Sequence, residues 1–159
     1  MFEREWEIAA ELLPELESRY PPFTRPHKRE RASVARAARR LQRQTGLPIR
    51  PSQVLVAPWM GDVRTPSGRR ITTSEGWRRD ARSFWDAYEE LHARLAALLG
   101  DGPSKRVTPA YARAMGWGRA TVGQPLVHHH IDNGPYVVAI PAGVHTPAVH
   151  RKATIVARP

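Results

Sequence analysis

Two short apolar runs, Leu126 to Ile131 and Tyr136 to Ile140, are joined by Asp132-Asn133-Gly134-Pro135. An Asn-Gly pair between β-prone runs favours a tight turn with positive φ at its centre, so this stretch predicts a β-hairpin. The first run carries His128, His129 and His130 in succession, and His145 and His150 follow the second, so five of the seven histidines fall within 23 positions. Neutral imidazole is the commonest protein metal ligand, and a strand with the element after it can converge several such rings on one ion. Strict alternation along a strand puts His128 and His130 on one face and His129 on the other, which leaves open a shift of any ligand and base roles on this strand by one position, to include His130. Pro141 to His150 predicts a turn or short helix, and Ala153 to Ala157 a terminal strand.

Upstream, the pattern is helical and broken by prolines. Residues 2–20 alternate apolar side chains at spacings of three and four with Glu3, Glu5, Glu7, Glu11, Glu15 and Glu17, which predicts an acidic amphipathic helix bent near Pro14. Beyond Pro21-Pro22 the charge reverses: Arg25, Lys28, Arg29, Arg31, Arg36, Arg39, Arg40 and Arg43 face only Glu30. A second, basic helix is expected from about residue 29 to 45, stopped by Gly46 with Pro48 beyond it, and the acidic first helix is expected to pair with it as an internal cover. Residues 46–74 are rich in Pro and Gly around one possible strand, Val54 to Ala57, and mark the expected boundary. A third helix is expected from an Ser74 cap to Gly100, with Trp77, Ala81, Phe84, Trp85, Tyr88, Leu91, Leu95 and Leu98 as its buried stripe. A short helix after Thr108-Pro109, closed by Gly116-Trp117-Gly118, completes the set. Helices around a small hairpin place the chain in the α+β class.

Composition narrows the chemistry. Among 159 residues there are no cysteines, so disulfides, thiolate metal sites and cysteine nucleophiles are excluded and any metal must be held by imidazole or oxygen. Formal net charge is +10, and Lys28, Lys105 and Lys152 are the only lysines beside twenty-two arginines. An excess of planar guanidinium forks points to a polyanionic partner, nucleic acid first. No apolar run approaches the ~20 residues of a membrane span, and the acidic start, Met1 to Glu7, does not read as a signal peptide. The chain is expected to be soluble, either cytoplasmic or delivered into a target cell as part of a secreted toxin.

The string Leu126-Val127-His128-His129-His130-Ile131-Asp132-Asn133-Gly134, then Ile140-Pro141-Ala142-Gly143-Val144-His145 and His150, resembles the HNH or His-Me finger endonucleases. It is most similar to the WHH and LHH branch of bacterial polymorphic toxins and more distantly to colicin-type DNases. The resemblance implies a C-terminal ββα-metal motif, a hairpin plus a helix, behind N-terminal helices, with residues 1–60 as a helical region and 61–159 as the nuclease domain. Carried over by position, it implies His128, His145 and His150 as metal ligands and His129 as general base. It also implies a divalent cation (Mg, Mn, Zn or Ni), DNA as the first substrate, and an acidic immunity protein as a partner. Arg113, Arg119, Arg151 and Lys152 flank the site in sequence and are expected to contact the phosphodiester backbone. The chain departs from the pattern at Val127, where Trp or Leu is usual, at Leu126, where no carboxylate orients the base, and at Ala142-Gly143, where related toxins tend to carry a basic residue.

Two other functions fit parts of the sequence. Residues 37–54, with Leu41, Gly46, Leu47 and Val54, faintly match a helix-turn-helix, which would make the chain a DNA-binding module without catalysis. Two histidines acting as acid and base would instead make it a metal-independent RNase.

Overall fold

The computed structural model of the protein describes residues 20–100 and 105–144. Within them the helices are α1 (Arg31–Thr45), α2 (Ala81–Leu91), α3 (Ala93–Ala96) and α4 (Pro109–Met115), and the strands are β1 (Leu55–Val56), β2 (Leu126–His130) and β3 (Tyr136–Pro141). The three strands form an antiparallel sheet in the order β1-β3-β2. Leu55 pairs with Val137, and β2 runs against β3 from Leu126 opposite Pro141 to His130 opposite Val137. This is the mixed α+β architecture expected, a small antiparallel sheet among helices; the helix expected to complete the hairpin motif lies beyond residue 144, outside the described residues. The acidic N-terminal helix and the terminal strand anticipated from sequence lie outside the described residues.

The local reasons for these elements are visible. α1 ends where Gly46 takes φ 74°, a left-handed conformation that costs glycine little, and its N–H donates to the Gln42 carbonyl. α4 starts at Thr108, whose hydroxyl accepts from the Tyr111 N–H at 3.1 Å, with Pro109 in the first helical position. The third helix expected from sequence begins later than Ser74. Asp80 is the cap, accepting from Ser83 N–H at 3.2 Å, and a break at His92 (φ −131°, ψ 52°) divides the anticipated single helix into α2 and α3. Residues 74–79 are drawn instead into a loop in which Trp77 pairs with Trp59 and Arg78 with Thr72. Gly76 permits this loop: the Trp59 indole lies directly over it, and a Cβ there would fall 2.5 Å from Nε1.

The sheet separates two apolar clusters. On one face Leu126, Val137 and Ala139 pack with Leu55, Phe84, Trp85 and Tyr88; on the other Val127, Val138 and Ile140 pack with Ala37, Ala38 and Leu41 of α1. Burying both faces makes the hairpin the centre of the molecule. The side-chain alternation of β2 therefore decides which histidine meets which environment.

The candidate active site on the histidine strand

β2 distributes its three histidines as alternation requires. His128 pairs with Ala139 and His130 with Val137, on the α2 face, whereas His129 pairs with Val138 on the α1 face. His129 is 1% exposed. His128 and His130 are partly exposed, with ring centroids 6.1 Å apart. The residues expected as ligand and base, His128 and His129, are thus adjacent in sequence but turned to opposite faces. His130, to which alternation left a one-position shift of these roles open, shares a face with His128.

Both imidazoles on the α2 face are held by backbone carbonyls. His128 Nε2 lies 2.5 Å from the Arg79 carbonyl, and its ring stacks on Phe84 with centroids 5.4 Å apart. His130 Nδ1 lies 3.0 Å from the Gly134 carbonyl. A carbonyl can only accept, so each bonded nitrogen carries a proton, and in a neutral ring the other nitrogen keeps its lone pair. A backbone carbonyl that fixes tautomer and orientation is the support that metal-ligating and proton-accepting imidazoles need. Burial pushes His130 down to about 3, with the neighbouring His128 and Arg79 acting in the same direction and hydrogen bonds to the Gly134 and Arg78 backbone opposing them. Its ring is neutral throughout the physiological range.

Arg79 was not singled out as a site residue from sequence, yet it faces this pair. Its carbonyl holds His128, its guanidinium donates to the Arg70 carbonyl at 3.1 Å, and its charge reaches His130. Neighbouring Arg78 is buried and engages Asp80 at 2.6 Å, so that carboxylate is taken by Arg78. Phe84 was read only as core; spacing alone could not reveal that it also forms the floor under His128. Of the expected backbone contacts, Arg113 lies exposed on α4 and Arg119 exposed on the turn Arg119–Thr121. His145, His150, Arg151 and Lys152 lie outside the described residues. Among the described residues no three histidine or acidic side chains are gathered closely enough to hold a cation. The fit of β2 to a metal therefore rests on its donor chemistry: two imidazoles, each held by a backbone carbonyl, on one face of the strand.

The helix-turn-helix alternative lacks its second helix, because the residues after Gly46 form a short turn at Pro51–Gln53 and then β1. No described helix is long and apolar enough to cross a membrane.

Comparison with known proteins gives one match. Residues 58–151, more than half of the chain, fit the model of a family described as HNH/Endo VII superfamily nuclease toxins with a HHH motif. No curated protein and no solved structure matches the chain.

Proposed function

Because the chain belongs to the HNH/Endo VII superfamily nuclease toxins with a HHH motif, we propose that it hydrolyses phosphodiester bonds, in DNA first, with a divalent cation held beside β2. HNH nucleases generally use such a cation. The observation that carries the reading is the pair of anchored imidazoles, His128 and His130, on one face of the hairpin strand and beside Arg79. His145 and His150 follow the hairpin in sequence and complete the ligand set in this reading. A bound cation supplies charge stabilisation for the developing negative oxygens of the phosphate.

The protein's own side chains do the rest. In this reading His128 and His130 share lone-pair donation to the ion and acceptance of the proton released by attacking water, because both rings lie on the same face of β2. Arg113, Arg119, Arg151 and Lys152 draw the backbone towards the site. An acidic immunity protein would neutralise the same positive surface in the producing cell. His129, assigned the base role from sequence, lies on the α1 face at 1% exposure, and in this reading it seats the strand against α1.

A variant series tests this. His128→Ala and His130→Ala are expected to abolish nicking of supercoiled DNA with little loss of thermal stability, and His129→Ala to lower the melting temperature while leaving measurable cutting. Loss of all cutting in His129→Ala with an unchanged melting temperature would return the base role to His129. Cutting of RNA that persists in EDTA would favour a metal-independent RNase instead.

A further inference from the structure

Helix α1 lies outside the residues that match the nuclease family, yet it packs directly on the histidine hairpin. Its apolar stripe, Val34, Ala37, Ala38 and Leu41, is buried, and Ala37, Ala38 and Leu41 join the cluster that holds Val127, Val138 and Ile140. That packing fixes which side of the helix meets solvent. Arg31, Arg36, Arg39 and Arg43 are all exposed, and the helix contains no acidic residue. Spacings of three and four align Arg36, Arg39 and Arg43 along one side. From Arg31 to Arg43 the helix rises about 18 Å, at ~1.5 Å per residue.

Among the described residues, Arg40 is the one arginine of α1 held in an ion pair. It grips the Asp132 carboxylate at the hairpin tip at 2.5 Å, tying the helix to the turn that follows the histidines. Among the described residues no carboxylate forms an ion pair with Arg31, Arg36, Arg39 or Arg43; Arg36 has only the Ser33 hydroxyl at 3.3 Å. Beside the Arg40 pair is a cavity of about 260 Å³, lined in part by Ser33, Arg36, Asp132 and Tyr136. A row of guanidinium groups without a carboxylate partner among the described residues, on a hairpin-anchored helix, is shaped for a linear polyanion whose charges repeat at short intervals.

We propose that the exposed arginine face of α1, on the side of the sheet opposite His128 and His130, is a docking track for the phosphodiester backbone of nucleic acid. The inference rests on the nuclease reading for the identity of the polyanion. The track itself makes no base contacts and so adds affinity without sequence preference.

The test uses the full chain in EDTA, so that binding is read without cutting, with a fluorescent duplex of about 20 base pairs titrated across a range of salt. Replacing Arg36, Arg39 and Arg43 together by Gln, a good helix former, is expected to lower affinity at least tenfold at about 100 mM salt. It should also reduce the slope of log K against log salt by about 2.7, at ~0.9 per lost phosphate contact. Arg39→Gln alone should reduce it by about 0.9, whereas Arg94→Gln, on exposed α3, should leave it unchanged. An unchanged slope in the triple variant overturns the track and assigns the face to an acidic protein partner. If wild type cuts no nucleic acid but the slope still falls in the triple variant, the nuclease reading fails and the track stands. If the triple variant binds and cuts as wild type does, the nuclease reading stands and the track fails.

Discussion

His92 sits where α2 gives way to α3, its ring edge-on to Tyr88 with centroids 5.3 Å apart. Its Nε2 is buried without a hydrogen-bond partner among the described residues, and Arg25, which donates to the Leu91 carbonyl, stands close enough to repel an added proton. Burial first, and then Arg25, holds the imidazole below its ordinary 6.5. Above that value the ring is neutral whether the chain is folded or not, so stability does not respond to its titration. Below it the unfolded chain takes up a proton that the folded chain resists, so stability falls as pH drops from 6.5 towards the lowered folded value. His130, pushed down to about 3, adds a decline of the same sign. The expected result is that His92→Gln flattens, without abolishing, the loss of urea midpoint between about pH 7 and about pH 5. Identical slopes for variant and wild type would mean that Nε2 finds a proton acceptor on folding.

At the scale of elements, α2 shows what local pattern can and cannot reveal. Its stripe was legible because Ala81, Phe84, Trp85 and Tyr88 recur at helical spacing, but its start was not, because Ser74 and Asp80 are both good caps. Tertiary structure chose Asp80: its carboxylate binds Arg78 Nε at 2.6 Å and the Ser83 N–H at 3.2 Å, while Arg78 also donates to the Pro21 carbonyl at 3.0 Å. The hairpin was likewise legible in place and shifted in detail. The two positive φ values fall on Asp132 and Asn133, at 54° and 59°, and not on Asn133-Gly134, which frees the Asp132 carboxylate for Arg40. The opposite facing of His128 and His129 followed from alternation, but which face is closed depends on α1, and no short-range pattern records that packing. Arg78 and Asp80 are 3% and 0% exposed at their side chains, so removing one member strands the other in a dry site. Asp80→Ala is expected to cost about 3–5 kcal/mol by denaturant unfolding, the range for breaking a buried pair. The double change Asp80→Ser with Arg78→Leu keeps a cap and removes both charges, and should recover most of that loss. A cost of only about 1 kcal/mol for Asp80→Ala would mean that the cap alone had been removed and that water reaches Arg78.

For the molecule as a whole, a sheet buried on both faces supports a surface whose formal charge sums to +10. That surplus has two consequences with opposite signs in salt. Within the protein the unpaired arginines repel one another, so low ionic strength should destabilise the fold, and screening, with a Debye length of ~10 Å at 0.1 M, should relieve it. Between the protein and a polyanion the same charges attract, and bound counterions are released from the nucleic acid, so added salt should weaken binding. Raising NaCl from about 50 to about 200 mM is therefore expected to increase the melting temperature while lowering affinity for a DNA duplex, by roughly a thousandfold if about six phosphates are contacted. Thermal melts and anisotropy titrations in matched buffers measure both. A melting temperature that fell with salt would show that exposed or partly exposed pairs such as Arg40–Asp132 outweigh the general repulsion. The positive charge would then be organised for the fold, not held in reserve for a nucleic acid.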